Sequence, residues 1–120
     1  MIHGALYRQD NNQLLLQHVM HTTNPLERMR GLLARPPLTQ DQGLLIMPCS
    51  SVHTFGMRYP IDLVFLNRNW QIKKLVSALK PYRLAWSTGA SMVVEMMAGT
   101  LDKLKLTPGM TLLWEETVCV

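Results

Sequence analysis

The sequence predicts a mainly β fold, a β-sandwich or a bent, barrel-like sheet with two short accessory helices. Three observations predict it. Short runs rich in branched and aromatic residues, which pack well on a pleated surface, recur along the chain. Turn-forming residues separate them. Only two segments carry the start and stop signals of a helix. A chain of 120 residues that is 48% apolar and 17% charged can bury one core, so residues 1–120 are expected to form a single domain.

The elements follow in chain order. "ALYR" and "QLLLQHV" flank Asp10-Asn11-Asn12, whose side chains bond their own backbone and tolerate tight turns, and they read as an opening hairpin. In "NPLERMRGLLARPP", Asn24 is placed to cap a helix, Pro25 suits its first position, and Glu27 favours the N-terminal dipole. Leu26, Met29 and Leu33 would share one face, and Pro36 with Pro37 would stop the helix. "GLLIM", "IDLVFL", "WQIKKLV", "MVVEMM" and "MTLLWEETV" are further strands. Asn67-Arg68-Asn69 turns "IDLVFL" into "WQIKKLV", and Thr107-Pro108-Gly109-Met110 has Pro then Gly at the centre of a type II turn. "TLDKLKL" reads as a second helix capped by Thr100. Helices this short are marginal alone, so both are expected to lay an apolar stripe on the sheet.

Charge and targeting features exclude several function classes. The net charge of +4 is spread along the chain. Its densest basic run, Arg68, Lys73, Lys74, Lys80 and Arg83, has only Trp70 and Tyr82 as interleaved aromatics, so nucleic acid is not the expected partner. No stretch has the length and apolarity of a membrane span, and "MIHGALYRQD" lacks the basic start of a signal peptide. A cytoplasmic location is expected, and with it free thiols at Cys49 and Cys119.

The stretch "PCSSVHTFGMRYPIDLVFL", Pro48 to Leu66, concentrates the chemistry-bearing side chains. Cys49, Ser51 and His53 would share one face of a strand, but Cys49 and His53 lie about 13 Å apart if extended, too far for proton transfer. Cys49, His53 and Met57 have soft donors of the kind copper(I) takes, at a spacing that suits a helix this segment does not form. No metal or cofactor is therefore expected. In a structural reading, Asp62 accepts backbone amides, Gly56 supplies backbone freedom and Pro60 fixes the turn. In a functional reading, His53, Asp62 and Glu95 converge on a pocket, with Thr54, Ser51 and Trp86 as further contacts. Asp62 and Glu95 invite it because charged residues set in apolar strands are rarely buried unless paired or used. Inside a core, Glu95 would need a donor such as His53, Arg58 or Arg83.

"NPLERMRGLLARPPL", "GLLIMPCSSVHTFGMRYPIDLVFL" and "MVVEMMAGTLDKLKLTPGMTL" together resemble the successive blocks of the domain-of-unknown-function family 192, a bacterial and archaeal group. The resemblance runs from about Thr22 onward and implies a mostly β fold of sandwich type. It implies no activity. Met110 stands where that family often has an acid, and many of its members carry an export signal that this chain does not show. The expected function is a non-catalytic module binding a small polar ligand or a peptide around His53, Asp62 and Glu95. The alternatives are a hydrolase-like enzyme using the same three residues for acid–base chemistry, or a scaffold subunit binding another protein through a sheet edge.

Overall fold

The computed structural model describes residues 1–33 and 35–118. Strands β1 (Ile2–Arg8) and β2 (Leu14–His21) form the opening antiparallel hairpin. At its turn, the Asn11 side chain accepts the Gln13 N–H, and Asn12 adopts positive φ. Helix α1 (Pro25–Arg30) follows, then strands β3 (Gln42–Ile46), β4 (Ser51–His53), β5 (Ile61–Leu66), β6 (Ile72–Leu79), β7 (Leu84–Trp86) and β8 (Met92–Met97). Helix α2 (Thr100–Leu104) and strand β9 (Leu112–Glu116) close the chain. Seven strands form one sheet in the order β6-β5-β8-β3-β2-β1-β9, antiparallel except for the β2–β3 pair, and β4 with β7 forms a separate two-stranded sheet.

The large sheet curls because its edges meet at one end. Gln71 bridges Thr111, Ile72 N–H donates to Met110 O at 2.8 Å, and Leu112 N–H donates to Trp70 O at 2.9 Å. The result is a half-barrel. Its concave side holds a core to which all seven strands contribute, with Leu6, Leu16, Leu45, Val64, Val94 and Leu112 among the buried residues. Leu101 of α2 caps this core. The convex side of the central strands β5, β8 and β3 carries a second core of Leu44, Ile46, Leu63, Phe65 and Val93. Val52 of β4, Ala85 of β7 and Leu32 cover it. Burial on both faces explains why "IDLVFL" shows no polar alternation: every residue of β5 is buried.

Both helices depart from expectation. Helix α1 ends at Gly31, before Pro36 and Pro37, and buries no residue; Leu26 and Met29 are 77% and 76% exposed rather than laid on the sheet. Its end caps form without that packing, since Asn24 Oδ1 accepts the Glu27 N–H at 2.9 Å and Glu27 Oε1 accepts the Thr23 N–H at 2.8 Å. Helix α2 is capped at Gly99, not Thr100, whose buried hydroxyl has no partner among the described residues. Among the described residues no helix is long and apolar enough to cross a membrane. Cys49 is a free thiol, and Cys119 lies outside the described residues.

Candidate ligand-binding cavity at Glu95

Strand pairing places Glu95 in the middle of the convex face, opposite Leu44 on β3 and Leu63 on β5. It is 4% exposed. Among the described residues its carboxylate has no hydrogen bond and no salt bridge, and burial pushes its pKa up to about 7. Gly31, which ends α1 at a positive φ of 51°, passes over the acid, and a methyl placed there would sit in ordinary contact with Glu95 Oε1 at 3.7 Å. Between this turn and the edge of β4 lies a cavity of about 80 Å³, with Glu95 inside it and Arg28, Cys49, Ser51 and His53 among its lining residues. Arg30 lines it as well, and its remaining walls are largely apolar, including Leu33, Ile46, Val52 and Met57.

The groups around Glu95 differ in chemical readiness. Cys49 is raised above its ordinary value chiefly by burial, with the Glu95 charge adding to the rise and Arg28 opposing it. Its Sγ donates to Ser51 O at 3.1 Å, so the sulfur is a hydrogen-bonded thiol rather than a nucleophilic thiolate. His53 is exposed and stacks on Phe55 with ring centroids 5.5 Å apart. Tyr59, also above its ordinary value through burial and then through Glu95, has a buried hydroxyl without a partner among the described residues. Arg28 is half-buried, and its guanidinium has no salt-bridge partner among the described residues. Sequence reasoning missed Arg28 and Tyr59; the helical register of the first and the turn position of the second carry no signal that they approach Glu95.

The expected trio does not assemble. Asp62 pairs with Met96 while its neighbour Leu63 pairs with Glu95, so the two acids point to opposite faces of the sheet. His53 joins Glu95 at the cavity, and Asp62 faces the concave core. There it is fully buried, its Oδ1 accepting the Ala78 N–H at 2.7 Å and its Oδ2 the Leu101 N–H at 2.9 Å. Neither Arg58 nor Arg83 reaches Glu95; the Arg83 side chain donates to Tyr82 O at 3.4 Å.

Thr54 also departs from the ligand-contact role. It is fully buried, its Oγ1 donating to Lys80 O at 2.6 Å and accepting the Arg83 N–H at 2.9 Å, which ties the loop after β4 to the one before β7. Thr54→Val, which keeps shape and removes both bonds, is expected to cost about 1–3 kcal/mol in urea unfolding without altering the cavity. An unchanged midpoint would assign the loop closure to backbone bonds alone. Gly56 has φ of 85° in the loop between β4 and β5, where Pro60 is exposed and follows a trans bond; the cis peptide is Met47–Pro48. Trp86 is 58% exposed on β7, with Lys74 Nζ donating to its carbonyl at 2.9 Å and lying 5.7 Å from its ring centroid. Among the described residues no group of three or more His, Cys, Asp or Glu side chains is placed to hold a metal ion.

Fold and site together define a curled β half-barrel whose convex face, under a two-stranded flap, holds a small cavity built on one buried acid. The chain belongs to the DUF192 family, described as "Uncharacterized ACR", whose model matches residues 7–114. It is 30% identical over 106 residues to a UPF0127 protein of Pyrococcus furiosus, an alignment covering 83% of this chain and 89% of that one. A crystal structure named as that of a candidate transcription regulator from Sinorhizobium meliloti 1021 superposes with a TM-score of 0.79 at 21% identity, over 94% of this chain and 92% of the other. A protein of unknown function from Novosphingobium aromaticivorans DSM 12444 gives a TM-score of 0.74 at 18% identity, over 93% and 84%. At these identities the two structures share the fold.

Proposed function

We propose that the protein is a binding module that takes the hydrogen-bond-donating tip of a small polar ligand or a peptide into the Glu95 cavity. One observation carries this reading: a carboxylate 4% exposed, without a partner among the described residues, lines an open cavity. Buried ionisable groups are ordinarily paired, and a donor arriving from outside supplies the missing pair. The same value near 7 favours a second reading, in which Glu95 is a general acid or base for a bound substrate. That role lacks Asp62, which lies across the sheet, and Cys49, which is held as a thiol.

The probe that tests the binding reading is butylamine, with butanol as its uncharged counterpart. In amide-resolved NMR titrations, butylamine is expected to give saturable shifts at Gly31, Ser51 and His53 that disappear in Glu95→Gln. Equal responses to butanol, or a butylamine response that survives in Glu95→Gln, would remove Glu95 from the recognition of donors.

A further inference from the structure

The second half of the cavity wall is a strand edge. Ser87 N–H donates to Ser50 O at 3.1 Å and Thr54 N–H to Arg83 O at 2.9 Å, so Ser50, Val52 and Thr54 turn their backbone groups toward β7. Antiparallel ladders alternate, and Ser51 and His53 therefore turn theirs away. Ser51 O is taken by the Cys49 thiol. The Ser51 N–H and both backbone groups of His53 have no partner among the described residues, and both residues are exposed and line the cavity. On the opposite edge of the flap, Trp86 O accepts from Lys74 Nζ.

We infer that an extended peptide adds as a strand to this free edge of β4 and inserts a lysine side chain into the cavity, with its ammonium on Glu95. The inference rests on the binding reading above and specifies its partner. Size argues first. Pockets for cofactors and whole small molecules are several hundred Å³, and about 80 Å³ admits only an unbranched tip, leaving the rest of the ligand outside. The lining argues second: Leu33, Ile46, Val52 and Met57 suit a methylene stem, and the small volume, rather than the carboxylate, favours a compact ammonium over a planar guanidinium fork. Arg28 and Arg30 line the same cavity, so they repel further cations and select an acidic residue beside the lysine.

The surroundings supply contact area for the remainder of such a peptide. Met29, Phe55, Leu84 and Trp86 are 76%, 52%, 56% and 58% exposed, a concentration of large apolar side chains beside the cavity and on the flap. Exposed apolar groups gathered in one region mark contact surfaces more often than they mark chance. Main-chain bonds to the β4 edge would give affinity, and the cavity would give the preference for lysine.

Fluorescence polarisation with libraries of N-acetylated, C-amidated peptides tests this. The central residue is fixed as lysine or norleucine and the flanks are randomised. The lysine library is expected to bind at least about tenfold tighter than the norleucine one, and Glu95→Gln to erase the difference. Methylating the backbone nitrogens of the selected peptide, or changing Ser51→Pro in the protein, is expected to weaken binding by a similar factor, because the first removes donors from the added strand and the second removes one from the β4 edge it pairs with. Equal binding of lysine and norleucine, or undiminished binding of the methylated peptide, overturns the inference. Should butylamine shift the cavity amides while no peptide binds, the cavity reading stands and the strand addition falls; silence from both removes both.

Discussion

Glu95→Gln is expected to stabilise the protein above neutral pH and to leave it unchanged in acid. The folded carboxyl holds its proton up to about 7, against an ordinary value of 4.5. Below the ordinary value both folded and unfolded chains are protonated and burial carries no charge penalty. As pH rises through the interval between the two values, the unfolded chain ionises while the folded one does not, and stability falls. Above about pH 7 the loss is complete, and the interval converts to about 3 kcal/mol. Glutamine never ionises, so the variant should show no such decline. Urea midpoints of both proteins across this range check it. Parallel pH profiles would mean that Glu95 ionises as freely in the fold as out of it. A bound ammonium acts in the opposite sense, returning stability to the parent protein and not to the variant.

Asp62→Ala is expected to be strongly destabilising, costing about 2–6 kcal/mol for two buried donors left unsatisfied, a large share of the roughly 5–15 kcal/mol that holds a domain folded. The carboxylate serves two elements at once. Between the pairs Ile61–Leu79 and Leu63–Val76 the β5–β6 register shifts, and Ala78, at φ of 50°, is the bulged residue whose N–H the ladder leaves over. Asp62 Oδ1 takes it. Its Oδ2 takes the Leu101 N–H, one of the donors that the first turn of α2 leaves open. Asp62→Asn should cost less, about 1–3 kcal/mol, since its amide can accept for only one of the two donors. Faster hydrogen exchange at both Ala78 and Leu101 would accompany the loss. A urea midpoint for Asp62→Ala equal to the parent's would show that neither element depends on the carboxylate.

The mainly β fold, most of its strands and several turns are legible in the sequence, because these rest on local chemistry. The long strands carry branched and aromatic side chains, Asn11 and Asn67 bond their own backbones, and Gly109 takes the positive φ that follows Pro108. Asp62 and Glu95 also stood out locally, as charges set in apolar strands. The short strands β4 and β7 did not, since three residues are too few to show a period. What each acid does depends on contacts distant in the chain. Pairing between β5 and β8 sets Asp62 and Glu95 one register position apart, and because side chains alternate across a strand, that single step sends one acid to the concave core and the other to the convex cavity. Asp62 meets two backbone donors from β6 and α2, contacts separated by 16 and 39 residues that no local pattern encodes. Glu95 meets no donor among the described residues, and Gly31, in the segment that passes over it, has no side chain to offer one.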